Sequence, residues 1–188
     1  MKYNFEKANI KDAKAISNIE KEYFEEGIAY TEEFIKDWMN YNPEMFWVVR
    51  DELGIVKAHT ILVPVTRECY QRLYKNQIHD MLEFKKEDVL QTEQADYYYT
   101  ASIAITKDVI NKLKVSSVLL SGIICYFYEH GERIITTPIT EAGLSITKSL
   151  GYSAINGIDD INNNYEVIIG GEKDNPIRKR YAKFLKRR

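Results

Sequence analysis

The stretch that constrains this chain most is residues 96–128, where a short polar segment joins two apolar runs of different periodicity. "DYYYTASIAI" (96–105) is dense in aromatic and β-branched residues, which suit a strand. After "TKDVINKLK", Val115, Val118, Leu119, Ile123, Tyr126 and Phe127 recur at helical spacing up to Gly131. Nearly every side of that helix is apolar or small, so it is expected to lie against a sheet. The segment between holds Lys107, Lys112 and Lys114 and ends at Ser116 and Ser117. Either serine suits the N-cap of a helix running from about Ser116 to His130. This is the layout of a loop that delivers an anion to a helix N-terminus. The first glycine after the strand, however, is Gly122, well inside the helix.

The flanking sequence extends the same architecture. "KYNFEKA" alternates as a first strand, and from Asp12 a helix follows with Ile16, Ile19, Tyr23 and Phe24 on one face, stopped by Gly27. Thr31 caps a second helix with Glu32 and Glu33 in its first turn and a stripe of Phe34, Ile35, Trp38 and Met39. "MFWVVRD" and "GIVKAHTILVPV", joined by "DELG", read as a β-hairpin. Residues 66–96 are polar and mixed, with helical stretches near Cys69–Tyr74 and Lys86–Leu90, and are read as an insertion. "RIITTPI" is a strand, Glu141–Leu150 a helix ended by Gly151, and "YSAINGI" and "YEVIIGG" a last pair of strands. No Pro/Gly-rich linker marks a boundary, so residues 1–175 are expected to form one domain with the 66–96 insertion.

Charge and cysteine content narrow the class. The 188 residues are 45% hydrophobic and 29% charged, which excludes disorder as the explanation of any large segment. No run reaches the ~18 apolar residues of a membrane span, and the N-terminus lacks the pattern of a signal peptide. Two cysteines without zinc-site spacing point to no metal and to a reduced, cytoplasmic protein. Residues 176–188 hold seven basic side chains and no acid, leaving 19 basic against 28 acidic elsewhere, a formal −9. Such a basic C-terminal tail suits a nucleic acid or an acidic partner, or else is a solvated helix or frayed end.

The order of elements, together with "FWVVRDELGIVKAHTILVPV", "YYYTASIAI" and "SITKSLGY", resembles the GNAT acyltransferase superfamily over roughly residues 2–170. The resemblance implies an α/β (α+β) fold whose central mixed, mostly antiparallel sheet is flanked by helices. It implies acyl-CoA, most simply acetyl-CoA, as co-substrate and a small-molecule or protein amine as acceptor, with no membrane partner. By the same resemblance the backbone of Ile103, Ala104 and Ile105 pairs with the pantetheine amides. The phosphate loop then falls on Lys112, Leu113, Lys114, Val115, Ser116 and Ser117. There the family's pattern Gln/Arg-x-x-Gly-x-Gly/Ala is replaced by Asn111-Lys112-Leu113-Lys114-Val115-Ser116, with both glycines gone. That departure feeds an alternative: a GNAT-like binding or regulatory module without transferase activity.

The chemistry of N-acyl transfer needs a base for the amine and a proton donor for the departing thiolate. Glu141, at the start of the fourth family helix, is the carboxylate the resemblance favours, against a simpler role in complementing the helix dipole. The family's tyrosine position falls on Thr147, a poor donor and otherwise a helix-surface residue. Tyr97, Tyr98 and Tyr99 offer phenols from the strand, and His59 is either directed to the acceptor side or a satisfied core histidine.

Overall fold

A computed structural model describes residues 2–25, 27–130, 133–169 and 175–185. Its elements run β1 (Tyr3–Lys7), α1 (Ala13–Lys21), α2 (Glu32–Tyr41), β2 (Phe46–Asp51), β3 (Val56–Val65), α3 (Arg67–Tyr74) and β4 (Tyr97–Ile105). There follow α4 (Lys112–His130), β5 (Arg133–Thr136), α5 (Glu141–Ser149), β6 (Ser153–Ala154), β7 (Tyr165–Ile168) and α6 (Pro176–Leu185). The strands make one seven-stranded sheet in the order β1-β2-β3-β4-β5-β7-β6, flanked by helices. β1–β2, β2–β3, β5–β7 and β6–β7 pair antiparallel, and β4–β5 pairs parallel.

Local chemistry explains most of these elements. The β2–β3 hairpin turns where Asp51 Oδ1 accepts the N–H groups of Leu53 and Ile55 and Gly54 takes a φ of 80°. Thr31 caps α2 through the Phe34 N–H, as its sequence suggests. α1 is the exception to the expected stop: it ends at Lys21, six residues before Gly27. The turn that follows sends Glu22 and Tyr23 off the helix face to bond elsewhere, so Tyr23 is exposed instead of buried.

α4 starts at Lys112, four residues ahead of the expected Ser116. Asn111 is the cap: its Oδ1 accepts the Lys114 N–H, and its carbonyl takes the Val115 N–H. Asn111 is a good cap and residues 112–117 hold no glycine or proline, so nothing delays the helix to the serines. Neither Ser116 nor Ser117 is that cap. The expected end of this helix at Gly131 lies outside the described residues. Gly122 has a packing role, since a Cβ there would meet the Phe5 ring at 2.3 Å, and that ring is stacked on Trp47.

Backbone contacts divide the chain into two compact units, residues 1–62 with 102–123 and residues 63–101 with 124–188. The first is built on Ile16, Ile35, Trp38, Phe46, Val48, Ile61 and Val115, all buried. The second is built on Leu73, Tyr98, Tyr99, Phe127, Ile134 and Tyr165. Within it, the 66–96 segment is tied to β4 by the Tyr98 and Tyr99 hydroxyls, which donate to the carbonyls of Thr92 and His79. Both phenols therefore serve the fold. The basic tail is also part of this unit up to Leu185: Tyr181 is buried and donates to the Leu150 carbonyl, and Arg180 donates to the Ser149 carbonyl. Arg178 lies over the Tyr128 ring. The described part of the tail is thus a docked helix, not a frayed end.

Candidate functional site

In the first unit the end of β4 carries the polar groups of interest. The Thr106 N–H donates to the Lys57 carbonyl on β3, at 2.9 Å. Backbone groups alternate in direction along a strand, so the Ile105 carbonyl points to the edge turned away from β3, and the Lys107 N–H follows in the turn that ends the strand. Two side chains from the end of α1 meet them there. The Tyr23 hydroxyl donates to the Ile105 carbonyl, and Glu22 Oε2 accepts the Lys107 N–H. Glu22 Oε1 also accepts from the Thr106 hydroxyl at 2.8 Å. The Lys107 ammonium lies 5.1 Å from the centre of the Tyr23 ring. Burial, and secondarily the Glu22 charge, raise the Tyr23 phenol above its usual range. It is a hydrogen-bond donor at neutral pH.

The same unit holds the start of α4. Ile103 and Ile105 are half-buried on one side of β4, and Ala104 is buried on the other. Lys112, Leu113 and Lys114 are exposed in the first helical turn, Val115 is buried, Ser116 is half-buried and Ser117 exposed. Leu113 and Ile110 are 87% and 92% exposed, an apolar pair left at the surface beside the helix start. Because the helix begins at Lys112, the N–H groups of its first turn belong to residues 112–114. Asn111 already accepts the one at Lys114.

A second cluster lies beneath β4. His59 and Glu20 are 0% and 1% exposed, with Nε2 and Oε1 3.1 Å apart. The contact is off the line of an ideal hydrogen bond, and neither His59 nitrogen has a well-aligned partner. The Ser102 hydroxyl donates to the same carboxylate oxygen, and Thr60 donates to the Ser102 carbonyl. His59 is thus a core residue paired with a carboxylate that sequence reading did not connect to it. Glu20 and His59 are 39 positions apart, and no local pattern links them.

The second unit holds the two candidates on α5. Glu141 is exposed in the first turn, whose cap is Thr140 accepting the Gly143 N–H at 3.0 Å. Thr147 is buried, 5% exposed, and so is not a helix-surface residue. The hydroxyl that this unit does bury nearby is that of Tyr152, 3.2 Å from Thr100 Oγ1, with burial raising its pKa well above 10. The β4–β5 ladder runs from Tyr97–Arg133 to Thr100–Thr136, while β4 itself continues to Ile105. An open cavity of about 420 Å³ lies between β6, β7 and the start of α6, and none of the predicted site residues lines it. Among the described residues no group of three or more His, Cys, Asp or Glu is placed to hold a metal. No described helix is long and apolar enough to cross a membrane.

No family model matches the chain, and no curated protein matches it by sequence. Solved structures do. The loading GNATL domain of CurA from Lyngbya majuscula aligns with a TM-score of 0.66 at 14% identity, over 90% of this chain and 98% of that one. The ribosomal-protein-S18-alanine N-acetyltransferase from Escherichia coli aligns at 0.57 and 14% identity, over 93% and 98%. The GphF GNAT-like decarboxylase, in complex with isobutyryl-CoA, aligns at 0.57 and 13% identity, over 79% and 72%. The chain has the GNAT fold.

Proposed function

We propose that the protein is an acyl-CoA-dependent N-acyltransferase that moves an acyl group, acetyl in the simplest case, from acetyl-CoA to an amine. The observation that carries this reading is the extension of β4 past its ladder with β5, with the Ile105 carbonyl turned away from β3 and the Lys107 N–H in the turn just after it. That is the complement of an amide-bearing pantetheine arm, and it occurs in a fold shared with an N-acetyltransferase and with a protein solved with isobutyryl-CoA. Ile103, Ala104 and Ile105 hold the arm. The start of α4, residues 112–117, faces the phosphates with its first turn and with Lys112 and Lys114 as its charges. Ile110 and Leu113 supply exposed apolar surface for a flat ring.

When bound, acyl-CoA supplies an activated thioester. The chain's task is to orient it, take a proton from the attacking amine and return one to the thiolate. Glu141 is exposed and free to act as the base. A buried threonine hydroxyl is a weak acid, so Thr147 orients more than it donates. Cys69 and Cys125 are not joined in a disulfide, which suits a cytoplasmic protein. A second reading, an acyl-CoA-binding module without transfer, is favoured by one observation: Asn111 already occupies a first-turn N–H of α4.

The test is release of free thiol from acetyl-CoA in the presence of amines ranging from polyamines to peptide N-termini. Transfer is expected with at least one class, and Glu141→Gln is expected to lower kcat about 10²-fold or more with KM for acetyl-CoA unchanged. Binding of acetyl-CoA without thiol release for any amine selects the second reading. Leu113→Pro, which deletes one N–H where the helix tolerates proline, is expected to weaken acetyl-CoA binding in either case.

A further inference from the structure

The end of α1 sits where the proposed ligand belongs. A pantetheine amide approaching the free edge of β4 would donate its N–H to the Ile105 carbonyl and accept the Lys107 N–H. Tyr23 and Glu22 supply a donor and an acceptor to those same two groups. The match goes beyond two chance contacts. Glu22 also takes the Thr106 hydroxyl, so three consecutive residues of β4's end are engaged by two consecutive residues of α1's exit. The occupants are built to leave. Tyr23 is 42% exposed and Glu22 half-buried, and the residues beyond them lead into a turn at Gly27 with a φ of 92°. By contrast Glu20, one turn earlier, is fully buried and anchors the helix to Ser102. One part of α1 is fixed, and the next part is laid on the ligand edge.

We propose that Glu22 and Tyr23 form an internal strap that competes with acyl-CoA for the Ile105 carbonyl and the Lys107 N–H, so that the cofactor binds only the fraction of molecules in which the strap is open. The proposal rests on the acyl-CoA reading of this edge. Edge recognition of this kind is the intramolecular form of strand addition, in which backbone groups give affinity and the competitor must match their polarity. Apparent affinity is the intrinsic affinity multiplied by the open fraction, so loosening the strap tightens binding without any new contact to the ligand. The Glu22 carboxylate adds a second effect, since it holds a negative charge beside the path of a polyanionic cofactor.

The experiment is calorimetric titration of the full chain with coenzyme A, comparing wild type, Glu22→Ala/Tyr23→Phe, and Glu25→Ala. Glu25 is exposed on the same segment, so its variant controls for charge alone. The double variant is expected to bind about tenfold more tightly, the scale of one lost charge-assisted hydrogen bond, while Glu25→Ala stays at the wild-type value. Amide exchange at Lys107 is expected to quicken in the double variant, a readout that needs no ligand. Equal or weaker binding by the double variant overturns the strap while leaving the acyl-CoA reading intact. An equal gain in Glu25→Ala also overturns it, because charge would then explain everything. Absence of binding in all three proteins removes the acyl-CoA reading and the strap with it.

Discussion

Glu20 and Glu166, one in each unit, are drawn out of water to different degrees, the first fully and the second in part, and their partners differ in kind. Glu20, in the first unit, is 1% exposed and faces His59 and the Ser102 hydroxyl. Glu166, on β7 in the second, faces the Arg133 guanidinium at 2.8 and 2.9 Å and the Tyr70 hydroxyl. Arg133 is 39% exposed and its charge is permanent, so water and a fixed cation share the burden of that anion. Glu20 has neither. It is met instead by the Ser102 hydroxyl and the His59 ring, in a place closed to solvent. The contrast separates a carboxylate that ties β7 to β5 from one that ties α1 to β4.

Truncation should expose the difference most plainly. Glu20→Ala leaves the buried Ser102 hydroxyl without its acceptor and empties space beside buried His59, and is expected to cost about 3 kcal/mol. Glu166→Ala leaves an arginine that can turn to solvent, and is expected to cost about 1–2 kcal/mol. Urea midpoints compare the two, and equal losses would erase the distinction. Glu22, partly exposed and placed on the strap, sharpens the comparison from the other side: its alanine variant is expected to lose no more than about 1 kcal/mol of stability. A loss as large as that of Glu20 would make the strap a structural tie.

The subtlest effect is one of slope. Burial lifts the Glu166 carboxyl from its ordinary 4.5 to about 7, with the Arg133 charge acting against that rise. A folded-state value above the unfolded one means that the fold favours the protonated form. This group's contribution is therefore fully present below about 4.5 and is lost as pH rises through about 7. Stability measured between pH 5 and 8 should fall less steeply in Glu166→Gln than in wild type. An unchanged slope would mean that the guanidinium outweighs burial.

What was legible in the sequence followed from local signals. The β2–β3 hairpin announced itself through alternation and the Asp51–Gly54 turn, and α2 through Thr31, because the groups that set these features are adjacent in the chain. The start of α4 is less legible because two kinds of cap compete: Ser116 and Ser117 carry the signal next to the apolar stripe, whereas Asn111 carries it earlier and nothing between them breaks a helix. The site partners were beyond reach. Tyr23 meets Ile105 across 82 positions and Glu22 meets Lys107 across 85, and only the folded sheet brings them together. Thr147 read as a surface residue because α5 is short and its apolar stripe is weak; packing decided its burial.

The measurement that bears most directly on the proposed activity is calorimetric titration of the wild-type chain with acetyl-CoA, repeated with Lys114→Ala. Saturable one-to-one binding is expected, weakened modestly in the variant, because one exposed charge is lost while the backbone of β4 and the first turn of α4 remain. No heat of binding at millimolar acetyl-CoA, in protein whose fold is intact by circular dichroism and urea unfolding, would contradict the acyl-CoA reading of this chain.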